Sequence, residues 1–143
     1  MREIETQFHQ HLIQHARKNG FLAPPLLIDY LTELLSSRLT RVDLVPDPSF
    51  GERYMILSSN CNYTELKDYA DSCLFFTSLM PEYGKRRGLS MDYYATLGVS
   101  SYYSVGDHFV DDRYIQLGNW FYHLQKFLNT AIHPEQRLEL FNF

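Results

Sequence analysis

The chain has 143 residues, a length that suits one domain with a sizeable core, and we therefore expect a single domain over 1–143. Thirteen Lys and Arg against seventeen Asp and Glu give a formal net charge of −4, which disfavours general affinity for nucleic acid or an anionic membrane surface. Apolar residues make up 45% and charged residues 21%, which argues against a disordered chain.

The expected compartment follows from what the sequence lacks. No apolar run approaches the roughly 18 residues of a membrane span. The first residues, Met-Arg-Glu-Ile-Glu-Thr-Gln, are acidic where a secretory signal is basic and then apolar. Cys61 and Cys73 are too few for a disulfide framework or a four-thiolate zinc site. We expect a cytoplasmic protein.

The spacing of apolar residues predicts the first two helices. One runs over 3–18 and ends at Asn19-Gly20, where the glycine can adopt a left-handed cap. The next begins at Pro24-Pro25, because proline in the first turn loses no hydrogen bond. Its apolar residues lie on more than one side, which predicts a central helix or one with a second face against a partner.

Residues 41–60 allow two interpretations. Apolar residues at 42–45 and 54–57 can form two short strands around the turn at 46–51. Equally, residues 52–58 can form one or two turns of helix.

Three further elements complete the pattern. A helix is predicted over 64–80, with Thr64 as its N-cap and Pro81 at its end. After a turn at 84–88, Ser90 caps a helix that runs to about residue 105. Asp111 or Asp112 caps the last long helix, which His133-Pro134 stops, and a helical or extended tail follows. The predicted fold is mainly all-α, a bundle of four to six helices with a short β-hairpin or irregular segment at about 41–60.

Residues 71–103 carry a distinctive arrangement over the two predicted helices and the turn between them. Its members are Asp71, Leu74, Phe75, Pro81, Glu82, the basic turn, Tyr93-Tyr94, Gly98 and Tyr102-Tyr103. This arrangement resembles a segment of small bacterial helical proteins of uncharacterised function, although the glycine expected near Ser78 is missing. The resemblance implies a helix–turn–helix pair and no particular activity.

A basic turn is the sharpest local signal. Lys85, Arg86 and Arg87 precede the helix that Ser90 caps, so three cations and the free N–H groups of a helix start can surround one anion. The alternative is a solvated loop whose cations balance nearby carboxylates. The glycine spacing of a nucleotide-binding loop is absent.

The N-terminal histidines raise the question of a metal. His11 and His15 lie four residues apart, a spacing that can present two imidazoles to one ion. The paired-histidine zinc hydrolases need Glu after the first histidine, and here that residue is Leu12. We therefore favour histidines that hydrogen-bond at the edge of the bundle, and we predict no metal and no cofactor.

The acidic residues of the third predicted helix do not form a metal-binding pattern. A di-metal bundle pairs carboxylates with Glu-x-x-His, which does not occur in this sequence. Asp71 lies deepest in the inward stripe, and we expect it to be buried and to accept a hydrogen bond from a Tyr or an Arg. No nucleophile elbow or cysteine–base pair is recognisable, so no catalytic residue is predicted.

The aromatic residues suggest a contact surface. In adjacent pairs such as Tyr102-Tyr103, one ring can enter the core while the other faces outward, because neighbours on a helix point about 100° apart. Exposed tyrosine and tryptophan are typical of protein–protein contacts. The alternative is that these rings only fill the core. The predicted interface residues are Tyr94, Tyr103, Trp120, Tyr122, Phe141 and Phe143.

Three functions follow, in order of preference. The first is a non-catalytic interaction module, a homodimer or an adaptor or regulator of another protein, that uses the aromatic surface. The second is a domain that binds a small anionic ligand at the basic turn. The third is a metal-dependent enzyme that uses the N-terminal histidines. A membrane or nucleic-acid partner is not expected.

Overall fold

A computed structural model describes residues 3–38, 50–86 and 88–132, and these form seven helices and no strand, which confirms the all-α prediction. The count is one above the expected range because a helix of six residues lies where the sequence predicts a turn. The helices are α1 Glu3–Asn19, α2 Pro25–Arg38, α3 Phe50–Ser59, α4 Tyr63–Leu79, α5 Pro81–Arg86, α6 Met91–Phe109 and α7 Asp112–Ala131.

Helix α3 decides between the two interpretations of its region. Residues 50–59 are helical, so the strand prediction is wrong there, while 41–49 lie outside the described residues. Leu57 is buried and Tyr54 packs against Tyr69 of α4, with ring centroids 6.0 Å apart. Positions three apart share one face of a helix but lie on opposite faces of a strand. Packing against α4 therefore requires the helix.

The helix ends follow local capping rules. Ser90 accepts a hydrogen bond from the Tyr93 backbone N–H, and Asp111 accepts one from that of Arg113, as the sequence predicts. The N-cap of α4 is Asn62 and not Thr64. Helix α6 extends four residues beyond its predicted end, to Phe109, where Val110 adopts a left-handed conformation at φ 52°.

Helix α4 occupies the centre of the fold. Residues 69–80 are all buried, and α4 packs mainly against α6 and α7. Gly98 of α6 permits this approach, because a Cβ atom there would lie 2.8 Å from both the Cys73 Cβ and the Phe121 ring. Helix α2, the other candidate for the centre, packs between α1 and the α4–α7 side. Of the helices described, none combines the length and apolar character that a membrane span requires.

Candidate functional site

A buried carboxylate lies where α2, α4 and α6 meet. Asp71 of α4 is 2% exposed. The Tyr30 and Tyr102 hydroxyls donate to its Oδ1 atom at 2.6 and 2.7 Å. On the other side, Lys67 Nζ lies 2.9 Å and Arg38 Nη2 lies 3.8 Å from Oδ2. The expectation that Asp71 is buried and accepts from a tyrosine is confirmed, and we call these five residues the Asp71 network.

The helical repeat explains how this network assembles. Lys67 precedes Asp71 by four residues, so both side chains lie on one face of α4. Tyr30 and Arg38 are eight residues apart on α2, close to two helical turns, and both face α4. Tyr102 is fully buried on the inward face of α6. Only Asp71 was anticipated from the sequence, since three of its four partners, Tyr30, Arg38 and Tyr102, come from distant segments.

The electrostatics of the network keep its donors protonated. Burial raises the pKa of Tyr30 and of Tyr102, and the charge of Asp71 raises both further. For Lys67, burial acts to lower the pKa, but the charge of Asp71 and the hydrogen bond to it produce a net increase. Neither tyrosine can serve as a base near neutral pH. The two tyrosine hydroxyls therefore remain protonated and act as hydrogen-bond donors to Asp71.

The network opens onto a cleft of about 290 Å³ between α2 and α4. Arg38 and Asp71 are nearly inaccessible, so they form the inner end of the cleft. Glu33 and Asp68 are exposed and lie towards solvent. Leu34 and Ser37 complete its wall. The cleft thus has two cations and one carboxylate inside and two carboxylates near its mouth.

The predicted basic turn lies elsewhere. Lys85 and Arg86 are exposed at the end of α5, and Arg87 lies outside the described residues. The Ser90 hydroxyl caps α6. Lys85 and Ser90 line a common cleft of about 420 Å³, which Asp92 also lines. The structure brings two of the predicted anion-binding residues together, with a carboxylate beside them.

The N-terminal histidines face two different helices. His11 Nε2 lies 2.5 Å from the Ala131 carbonyl oxygen, and His15 Nε2 lies 3.1 Å from Thr130 Oγ1, both on α7. His9 pairs with a carboxylate of α2. Within the part of the chain that the structure describes, no three His, Cys, Asp or Glu side chains are grouped to hold a metal ion. The imidazoles hydrogen-bond along the edge of the bundle.

One predicted interface residue is buried. Tyr94 is 5% exposed and packs edge-on against Phe76 of α4, so its prediction as a surface residue is wrong. The inward face of α6 includes Tyr94, Gly98 and Tyr102, which are four residues apart and face the same side. The exposed member of the pair is Tyr93.

Of the other predicted interface residues, the structure describes Tyr103 of α6 and Trp120 and Tyr122 of α7. Tyr103 and Tyr122 are 38% and 53% exposed. Trp120 is half-buried and meets Phe21 of the α1–α2 connection edge-on, with centroids 5.9 Å apart. The structure therefore does not place Trp120 with the tyrosines. Phe141 and Phe143 lie outside the described residues.

The outer surface of α6 and α7 carries no charge over a long stretch. Residues 93–106 and 114–125 contain no Lys, Arg, Asp or Glu. The Tyr103 hydroxyl donates to Asn119 Oδ1 at 2.6 Å, and its ring covers Gly118, where a Cβ atom would lie 2.7 Å away. These contacts join the two helices into one surface. We call it the α6–α7 face, and its outward residues are Thr96, Ser100, Tyr103, Asn119 and Tyr122.

The charge-free runs could have been read from the sequence, but their juxtaposition could not. Comparison of the chain with protein-family models, curated proteins and solved structures finds no match. The helix–turn–helix pair implied by the resemblance of residues 71–103 is present as α4, α5 and α6. Within the described residues, the Asp71 network and the α6–α7 face are the two features that bear on function.

Proposed function

We propose that this protein is a non-catalytic interaction module that forms a homodimer through the α6–α7 face. The single observation that carries the proposal is the absence of charged side chains from the outward positions of two adjacent helices over 93–106 and 114–125. The solvent face of a surface helix ordinarily carries charged residues. The centres of protein interfaces are depleted of charge and enriched in tyrosine.

The arrangement of the rings supports the same conclusion. Tyr103 is exposed, yet its hydroxyl is held by Asn119 and its ring rests on Gly118. A side chain that is already ordered loses little conformational freedom on binding, so it contributes more to affinity. Tyr122, one turn beyond Gly118 on α7, presents a second exposed ring on the same side.

A second copy of the chain is the partner that this surface fits. The whole chain carries a net charge of −4, so two copies repel each other over most of their surfaces. The α6–α7 face brings no like charges together. Its hydroxyl and amide groups both donate and accept hydrogen bonds, which suits a two-fold interface in which the same patch meets itself.

The test is the molar mass in solution, measured by size-exclusion chromatography with light scattering. We expect a dimer for the native chain and a monomer for Tyr122→Glu, because the substitution buries a carboxylate at the interface. Met55→Glu is the matched control, since Met55 is 66% exposed on α3, and it should remain a dimer. A native monomer at all accessible concentrations, or a Tyr122→Glu dimer as stable as the control, would contradict the proposal.

A further inference from the structure

We infer that Asp112 and Lys126 select the orientation of the second copy, so that the two chains pack antiparallel with Asp112 of each copy beside Lys126 of the other. The inference rests on the homodimer proposed above, and it names the charged pair that gives that interface its specificity. A separate observation carries it, which is the placement of charges at the two ends of the α6–α7 face.

The charge-free run of α7 lies between opposite charges on one line of the helix. Asp112, Asn119 and Lys126 follow one another at intervals of seven residues, close to two helical turns, and all three are exposed. The acid and the base are about 21 Å apart along the helix, with the uncharged Asn119 midway. Two such lines are complementary when they run in opposite directions about Asn119, because each Asp112 then meets a Lys126.

Both charges are available to a second copy. Among the described side chains, no ion pair involves Asp112 or Lys126. The Asp112 carboxylate accepts one hydrogen bond, from the Gln116 amide at 3.3 Å. The neighbouring Arg113 is engaged elsewhere, since its guanidinium donates to Asp111 Oδ2 at 3.2 Å. A pair between copies therefore forms without breaking an ion pair inside either copy.

The end of the face that contains Asp112 carries a second acid. Ile115 packs so closely on Gly106 that a Cβ atom there would lie 2.6 Å from its side chain. This contact places the last turn of α6 beside the first turns of α7. Asp107, the next residue of α6, is exposed and lies at the same end as Asp112. Both carboxylates therefore belong to one acidic end of the face.

The opposite end is balanced, which distinguishes the two possible orientations. Asp92 of α6 shares a cleft with Gln125, the residue before Lys126, so this end has one acid and one base. A two-fold axis along the helices brings like ends together and gathers four carboxylates, Asp107 and Asp112 of each copy. A two-fold axis across the helices places each Lys126 at the acidic end of the other copy. The second orientation is favoured because it replaces repulsion with attraction.

The experiment measures the dissociation constant of the dimer by sedimentation equilibrium at about 50 mM salt, where surface charges are weakly screened. Each substitution acts at two symmetric points and exchanges attraction for repulsion. We expect Lys126→Glu and Asp112→Lys each to raise the Kd about tenfold or more. The double variant Lys126→Glu/Asp112→Lys restores the pair with reversed signs, so its Kd should return to within about threefold of the native value.

Two controls separate this pair from the effect of net charge. Lys18→Glu and Glu33→Lys change the net charge by the same amounts at exposed positions of α1 and α2, and they should leave the Kd within about threefold of native. A native dimer whose Kd is unchanged by both single reversals, or a double variant that binds no more tightly than the single ones, overturns the antiparallel pairing and leaves the homodimer intact. A native monomer contradicts the homodimer, and the pairing with it.

Discussion

Asp71 connects three helices through one side chain. Its Oδ1 atom accepts hydrogen bonds from the Tyr30 hydroxyl of α2 and the Tyr102 hydroxyl of α6. Its Oδ2 atom lies beside the Lys67 ammonium group of its own helix. The sequence indicates that Asp71 lies on the inward stripe of α4, and burial of a carboxylate requires hydrogen-bond donors. The two hydroxyl donors, Tyr102 and Tyr30, lie 31 and 41 residues from Asp71 along the chain, so no local sequence pattern specifies them.

Replacing the carboxylate tests how much the network contributes. We expect Asp71→Asn to lower the free energy of unfolding by about 3–5 kcal/mol, because the amide removes the buried negative charge that faces the Arg38 and Lys67 cations. Urea denaturation measures the change. Asp68→Asn is the control, since that side chain is 53% exposed, and it should change stability by less than about 0.5 kcal/mol. Equal changes in the free energy of unfolding for Asp71→Asn and Asp68→Asn would show that the buried position of the Asp71 charge does not matter for stability.

His15 gives the fold a dependence on pH. Burial lowers the pKa of His15 below its ordinary value of 6.5, and the charges of His11 and Lys18 lower it further. As the pH falls through 6.5, the unfolded chain binds this proton before the folded protein does, so stability decreases. The free energy of unfolding of the native chain should fall between about pH 7.5 and 5.5, and we expect this fall to be smaller in His15→Gln.

The measurement for His15 is urea denaturation at several pH values. Gln14→Ala changes an exposed, non-titrating side chain of α1 and serves as the control, which should keep the native pH dependence. An unchanged pH dependence in His15→Gln would show that His15 is not the source.

The close packing of α4, α6 and α7 requires glycine, which has no Cβ atom, at position 98. A Cβ atom on Gly98 would lie 2.8 Å from Cys73 and Phe121, so the helices would have to move apart. Overpacking of a core costs about 1–3 kcal/mol, whereas alanine gains about 1 kcal/mol over glycine in a helix. We expect Gly98→Ala to be destabilising by about 1 kcal/mol, and at most about 2 kcal/mol, in thermal unfolding, despite its better helix propensity.

An exposed helical position away from the α6–α7 face separates packing from helix propensity. Gln10 of α1 is exposed, so Gln10→Ala should leave the melting temperature unchanged or raise it slightly. A gain in stability from Gly98→Ala would mean that the close approach does not constrain these helices.

The tyrosine pairs show which part of a helix pattern is hard to predict. Local spacing indicates that one ring of each pair is buried, and Tyr102 and Tyr103 follow that expectation. For the pair Tyr93 and Tyr94, the sequence-based prediction gives Tyr94 as the exposed residue, but Tyr93 is exposed and Tyr94 is buried. The orientation of α6 against α4 decides between them, because Gly98 must face Cys73 and Tyr94 then lies on the same side.

Dimerisation makes stability depend on protein concentration. If the α6–α7 face joins two copies, mass action raises the melting temperature as the concentration increases over a roughly hundredfold range. Tyr122→Glu should remove this dependence and Met55→Glu should retain it, as differential scanning calorimetry can measure. A native melting temperature that is independent of concentration would argue against the homodimer.

Helix positions, and most caps, were predictable from the order of amino acids because they depend on contacts within about four residues along the chain. Ser90 was placed correctly on that basis, and of the two predicted alternatives Asp111 and Asp112, the cap is Asp111. Packing between distant helices set the donors around Asp71, the side of α6 that Tyr94 occupies and the joining of two uncharged helix surfaces into one face. These features depend on long-range contacts, whose partners are not encoded in any short window of sequence.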